Sequence, residues 1–252
     1  MSTKTYQQRF EEPERVSAYD KAYAVGGYYA SMWNLEREWL IHQIDTIFEP
    51  TKNSNCLDFA CGSGRVTTVL ESRYKDCYGV DLSDAMLALA AERCESSVLK
   101  KLDIFDNDEI TRMKFDLVTA YRFFLHTEPD LRVKFLKRLT SLLKPDGGRL
   151  IFNVHGNKWS LRKLSTAVRG GSWLKKVDNE MSLSEIRELI HEAGLEIESW
   201  KGFGFLPAII YRTPLRGIGM TVDKLCTKLS FMSGVSINLA FVCRKIGANS
   251  EG

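Results

Sequence analysis

Between residues 56 and 155, five short apolar runs alternate with amphipathic stretches, and this order constrains the chain more than any other feature. "CLDFA" (56–60), "DCYGVDL" (76–82), "SSVLKKLDIFD" (96–106), "KFDLVTAYRFF" (114–124) and "RLIFNVH" (149–155) read as strands. "GRVTTVLESRY", "SDAMLALAAERC" and "DLRVKFLKRLTSLLKPDGG" read as the helices between them. Ser83 is placed to cap the second, and Pro145 with two glycines stops the third. Strands alternating with helices predict an α/β fold, a doubly wound and mostly parallel seven-stranded sheet. The fourth run is nearly continuous in its apolar character, as a strand covered on both faces must be.

The flanks complete one domain over 1–252. Residues 1–50 read as a helical cap, in which Trp33, Leu35, Trp39, Leu40, Ile44 and Ile47 recur near helical spacing until "PTKNSN" breaks it. Residues 51–155 form the ligand-binding core, and 156–252 carry substrate-capping insertions and the last strands. At 252 residues the chain can bury a large core. A net charge of +3 does not argue for nucleic acid. The six cysteines (56, 61, 77, 94, 226, 243) show no metal spacing, so a reducing, cytoplasmic setting without structural zinc or other metal is expected. No apolar leader and no spanning run are visible.

In open parallel sheets, ligands sit beyond the carboxyl ends of the strands, and "LDFACGSGR" (57–65) is a small-residue turn at such an end. A phosphate loop needs a lysine after Gly64, and none is there. The dinucleotide fingerprint needs a third small residue where Arg65 stands, which argues against NAD. Asp58-Phe59-Ala60-Cys61-Gly62-Ser63-Gly64 instead resembles the first motif of class I S-adenosylmethionine-dependent methyltransferases, with Ala60 in place of the first glycine. The resemblance covers roughly residues 50–155 and continues through "GVDLSDAML", "KLDIFD", "FDLVTAYRFFLH" and "LLKPDGGRLIF".

That resemblance implies S-adenosyl-L-methionine as cofactor. Asp81, with Leu82 beside it, would take the ribose hydroxyls. Asp103 and Ile104 would meet the adenine, and Met86 its edge. Asp58 would receive the turn's amides or the cofactor's ammonium. Ala60, Cys61, Gly62 and Gly64 would let the main chain approach the methionine end, and Ala120 would close the fourth strand beside it. Tyr19, Tyr28 and the aromatic and basic residues Tyr6, Arg9 and Phe10 would close over the cofactor from the cap. His126 is the leading catalytic candidate, as a general base or as a residue that holds its loop. Tyr121 and Arg122 would line the acceptor pocket, with Arg122 pairing to a carboxylate or phosphate or forming an internal ion pair. Arg65 reads as a solvated or salt-bridged residue opening a helix.

The acceptor is expected to be a small molecule methylated on oxygen or nitrogen, with no nucleic acid partner. The Pro-Pro-aromatic and Pro-Cys signatures of nucleic-acid methylating enzymes are missing after the fourth strand, where Ala120-Tyr121-Arg122-Phe123 stands. The rivals are a non-catalytic cofactor-binding subunit and an RNA methyltransferase. Basic residues cluster over 158–176 and 201–245, which suggests an anionic or amphiphilic acceptor or else a solvated face. The segment 204–232 mixes large apolar side chains with cations, and reads as a lid, a dimer contact or a peripheral membrane contact.

Overall fold

A computed structural model describes residues 13–24, 27–47, 54–161, 163 and 179–247. Two helices, α1 (Pro13–Ala24) and α2 (Tyr28–Ile47), precede the sheet. The alternating core follows as β1 (Asn55–Phe59), α3 (Thr67–Glu71), β2 (Asp76–Asp81), α4 (Asp84–Ala91), β3 (Val98–Lys101), α5 (Glu109–Arg112), β4 (Leu117–Ala120), α6 (Pro129–Leu142) and β5 (Arg149–His155). The chain ends with α7 (Leu183–Glu192), β6 (Leu195–Phe203), α8 (Arg216–Lys228) and β7 (Asn238–Lys245). The expected helix from Gly64 shrinks to α3, because Gly64 itself has φ +77° and belongs to the turn. The fourth strand shortens to four residues, all buried, since the chain leaves the sheet at Tyr121. Residues Tyr6, Arg9 and Phe10 lie outside the described residues.

The sheet order is β3-β2-β1-β4-β5-β7-β6. Strands β1 to β5 run parallel, β7 is antiparallel to β5, and β6 is antiparallel to β7. Strand order reverses between β1 and β4, which opens a crevice at their carboxyl ends. Because β6 runs with β1, the segment 204–237 leaves the sheet at that same edge, beside His155.

The core packs on both faces of the sheet. One face buries Phe115, Phe124, Phe152 and Phe241 with Leu136, Leu139 and Leu142 of α6. On the other, Leu40 and Ile44 of α2 and Leu70 of α3 cover Cys56, Leu117, Ile151 and Val242. Burying a side chain of this kind stabilises the fold by about 1.5–3 kcal/mol. Cys56, Cys61 and Cys77 are buried free thiols in this packing. Ser83 caps α4 as expected, accepting from the Met86 amide at 3.2 Å.

Tyr28 belongs to a third cluster with Met32, Phe203 and Tyr211, so it packs the cap onto the sheet and borders neither site cavity. The basic tract after Lys158 is partly neutralised, with Lys158 paired to Glu185 and Lys163 to Glu180. Arg162, Arg169, Lys175 and Lys176 lie outside the described residues.

Candidate functional site

At the crevice lies a cavity of about 510 Å³, within the ordinary range for small-ligand sites. Phe59, Ala60 and Gly62 border it from β1 and its turn, and Val80, Asp81, Leu82, Ser83 and Met86 from β2 and α4. Leu102, Asp103 and Ile104 follow from the end of β3, while Tyr121, Arg122, Phe123 and His126 come from the end of β4 and Tyr19 from α1.

The turn takes its shape from three left-handed residues, Ala60 (φ 53°), Gly62 (φ 55°) and Gly64 (φ 77°). The two glycines do different work. A Cβ on Gly62 would meet nothing within 4 Å, so its backbone stands bare at the cavity. A Cβ on Gly64 would lie 3.1 Å from Ala90 and 3.0 Å from the Cys94 sulfur. Gly64 therefore admits α4 against the turn and borders neither cavity, which corrects the expectation that it approaches the cofactor.

Asp81 joins the turn to the second strand. Its Oδ2 accepts the Gly62 amide and its Oδ1 the Ser83 amide, each at 2.9 Å. Each carboxylate oxygen still has a lone pair for a hydroxyl donor from the cavity. Burial raises its pKa, opposed by those main-chain donors. Asp103 accepts the Phe105 amide at 3.0 Å in a local turn and borders the cavity. Met86 and Ile104 are buried apolar walls, whereas Leu82 is 40% exposed at the rim. The Ile104 carbonyl accepts from Arg138 at 2.8 Å, so that oxygen is already engaged.

Asp58 serves the scaffold. Its oxygens accept from the Thr67 hydroxyl at 2.6 Å and the Thr119 hydroxyl at 2.7 Å, tying β1 to α3 and β4. Burial raises its pKa to about 6, against those two hydrogen bonds. The expected contacts to the turn's amides are thus replaced by threonine hydroxyls, although Asp58 does border a second, 40 Å³ cavity. Cys61 borders that small cavity too, with a buried thiol whose pKa burial pushes up. Ala120 lies wholly in the core and borders neither cavity, because β4 presents its last side chain to the sheet's packed face.

The small cavity lies where the cap meets the turn, lined also by Tyr19, Tyr23, Trp33, Arg65, Tyr121 and Arg122. Arg65 does not open a helix: its guanidinium carbon stands 3.6 Å over the Tyr23 ring, and it donates to the Tyr19 hydroxyl at 3.0 Å. Arg122 has φ 58°, a strained geometry for a bulky residue. Its amide is held by Asn153 Oδ1 at 2.6 Å, and its Nη2 lies 3.6 Å from Glu36 Oε1. Glu36 in turn accepts from Asn153 at 3.0 Å and from Asn238 at 2.6 Å.

This network, with Glu36 fully buried and the Arg122 side chain 11% exposed, realises the internal ion pair. Burial raises the Glu36 pKa against the pull of Arg122 and both asparagines. Burial also opposes the Arg122 charge, but Glu36 and the tyrosines outweigh it, and its pKa lies above the ordinary value. Arg122 Nη2 makes no hydrogen bond among the described residues, and neither does the buried Tyr121 hydroxyl.

His126 follows β4 on a 3-10 turn, with its Nε2 3.3 Å from Nε2 of His155. Burial, then the Arg122 and His126 charges, holds His155 well below its usual range and therefore neutral. One ring donates to the other, so the tautomer of the pair decides which His126 nitrogen stays basic. Among the described residues no three His, Cys, Asp or Glu side chains are grouped to hold a metal.

Among the described residues, the structure thus brings together at the cavities every candidate except Gly64, Ala120 and Tyr28. Sequence reasoning missed Glu36, Tyr23, Asn153, Asn238 and His155. Glu36 carried one usable signal, an acid four residues from both Met32 and Leu40 on the buried stripe of α2.

Residues 56–147 match the family model of a methyltransferase domain. Thiocyanate methyltransferase 1 of Arabidopsis thaliana is 31% identical over 112 residues, which is 43% of this chain and 48% of that protein. The ubiquinone biosynthesis O-methyltransferase of Methylococcus capsulatus is 26% identical over 163 residues, 60% of this chain and 67% of its own length. The chain spans about half the length of the thiocyanate methyltransferases that it matches. Among solved structures, magnesium protoporphyrin IX methyltransferase from Synechocystis, with bound SAH, superposes with a TM-score of 0.67 at 14% identity, over 95% of this chain and 98% of that one. Phosphoethanolamine N-methyltransferase 2 of Haemonchus contortus, in complex with S-adenosyl-L-methionine, gives 0.62 at 16% identity, over 97% and 60%. At such identities these two structures speak for the fold.

Proposed function

We propose that the chain is a class I S-adenosylmethionine-dependent methyltransferase, as its fold and the methyltransferase-domain match over 56–147 support, and that it methylates an oxygen or nitrogen of a small molecule bearing a carboxylate or phosphate. Within the single domain 1–252, residues 1–50 act as the cap, 51–155 as the cofactor core and 156–252 as the substrate-facing insertions and last strands.

The cavity fits the cofactor on its own residues. Asp81 offers two carboxylate lone pairs to a ribose diol, and charge-assisted bonds of this kind are about twice as strong as neutral ones. Met86, Leu102 and Ile104 form apolar walls for a flat ring, with Asp103 as an acceptor at its edge. The bare Gly62 backbone leaves room for the amino-acid end. When bound, S-adenosylmethionine supplies an electrophilic methyl group on a sulfonium. The chain's part is to align the acceptor and exclude water, which carries most of the acceleration in an in-line displacement. Tyr19, Tyr23 and Trp33 shield the methionine end, and His126 takes the acceptor's proton on the nitrogen that the His155 contact leaves basic. Arg122, which borders both cavities while paired to Glu36, receives the acceptor's anionic group.

The observation that carries the cofactor reading is the Asp81 carboxylate, fixed by two amides at the cavity wall. Calorimetry with S-adenosylhomocysteine and with NADH tests it. Binding of the first alone is expected, and Asp81→Ala should weaken it by about tenfold or more, as losing a charged hydrogen-bond acceptor does. Full affinity in that variant would refute the assignment. For the acceptor, Arg122→Lys should raise KM for an anionic substrate while leaving S-adenosylhomocysteine affinity within about twofold. A loss of cofactor affinity instead would assign Arg122 to the cofactor's own carboxylate.

A further inference from the structure

The segment between β6 and β7 turns its charges and its oils in unusual directions. Over residues 202–234 the one acid is Asp223, and it is fully buried. Its Oδ1 accepts the Gly204 amide at 3.2 Å and the Phe205 amide at 3.0 Å, and its Oδ2 accepts the Tyr211 hydroxyl. The acid thus organises the inner side of the segment and leaves no negative charge from it on the surface. The cations do the opposite: Arg212, Lys224 and Lys228 are exposed and Arg216 partly so. Of these, Lys224 is paired, at 2.8 Å, with Glu38 of α2.

The apolar side chains are exposed with the cations. Ile218 and Leu225 of α8, and Leu229 just past its end, stand at intervals of seven and four residues and are exposed, with Gly219 and Asp223 on the buried side of the helix. Ile218 is 65% exposed, Leu225 57% and Phe231, just beyond the helix, 81%. Ile209 and Leu215 extend the patch toward the helix start. Single exposed apolar residues are ordinary, but six within 23 residues of chain, in a segment whose exposed charges are all cationic, are not. An amphipathic helix with this arrangement suits the boundary between lipid headgroups and acyl chains. No described helix is long and apolar enough to cross a membrane, so the contact lies in the interfacial plane.

We propose that α8 and the adjoining residues 209–215 and 229–231 dock this chain on the surface of an anionic lipid bilayer. Phe231, Ile218 and Leu225 enter the interface, and Arg212, Arg216 and Lys228 meet the headgroup charge. The segment leaves the sheet beside His155, at the edge that carries the cavity. Docking there brings lipid-dissolved molecules to the proposed active site, a corollary that rests on the proposed function, whereas the docking itself does not.

Flotation of the full chain with vesicles tests this without any cofactor. The chain should bind vesicles of phosphatidylcholine mixed with phosphatidylglycerol and be released as salt rises, since the Debye length shrinks from about 30 Å at 0.01 M to about 3 Å at 1 M. It should bind phosphatidylcholine alone far less. Arg212→Gln and Lys228→Gln should each lower the partition coefficient by about fivefold. Phe231→Ser should lower it by about tenfold, with the melting temperature within about 2 °C of the parent as the folding control. Equal binding to neutral vesicles, no binding at all, or partitioning unaffected by Phe231→Ser would each overturn the proposal. So would a dimer in sedimentation that Ile218→Ser and Phe231→Ser dissolve, because the face would then belong to a second copy. Loss of S-adenosylhomocysteine binding by the parent would overturn the methyltransferase reading and leave the vesicle result standing.

Discussion

The two walls of the cavity are built in opposite ways. The wall of β1, β2 and β3 is local: Asp81 reaches back 19 residues to Gly62 and forward two to Ser83, and Asp103 forward two to Phe105. The wall at the end of β4 is remote: Arg122 reaches Asn153, Asn153 reaches 117 residues back to Glu36, and Glu36 is bonded to Asn238 from 202 residues away. One wall is made of main-chain amides meeting carboxylates, the other of side chains whose charges compensate one another out of water. A local wall tolerates change residue by residue, whereas a buried network fails as a unit.

The sharpest way to break that contrast is Glu36→Ala. It leaves Arg122 charged, buried and unpaired, and should cost about 3 to 5 kcal/mol in urea denaturation. A loss below about 1 kcal/mol would show that the remote wall is no network.

Asp58 tests the joint between the walls through pH. Its folded pKa of about 6 lies above the unfolded value of 3.8 because of burial, so the folded state holds the proton more tightly. The wild type should therefore lose stability as pH rises from about 4 to about 6, by about 3 kcal/mol from this group, and change little from it above that window. Asp58→Asn should lack this slope, so that the two unfolding curves diverge across the window. Parallel curves would mean that Asp58 ionises as freely folded as unfolded.

The smallest effects separate the two glycines of the local wall. Gly64→Ala should lose about 2 kcal/mol in melts, from left-handed strain plus contact with Ala90 and Cys94, and keep its S-adenosylhomocysteine affinity. Gly62→Ala should lose about 1 kcal/mol from strain alone, but bind that ligand more weakly. The reverse pattern would exchange their roles.

These same distances explain what could be seen in the sequence. The strand ends and the glycine turn follow from local patterning, the resemblance that their motifs carry adds Asp81, Met86 and Asp103, and the structure brings them to one cavity. The doubly wound, mostly parallel character of the sheet was legible because the β–α alternation admits few windings. Gly64 was misassigned because periodicity does not say which side of a turn a helix presses on. Arg65 was taken as solvated or salt-bridged because Tyr19 and Tyr23, its partners, arrive from a separate helix. Glu36, Asn153 and Asn238 stayed hidden since nothing near them in the chain records a partner more than a hundred residues away.

The Glu36 anchorage has a consequence for how ligands come and go. Any swing of α2 away from the sheet would strip two asparagine amides and a guanidinium from one carboxylate inside the core, an event on the scale of global unfolding. Helix α1 is moored differently. Among its described links are the half-exposed ion pair of Asp20 with Arg93 and the contacts of Tyr19 and Tyr23 with Arg65 at the rim. The cap is therefore unevenly moored, α2 through a carboxylate in the core and α1 through arginines at the rim of the crevice.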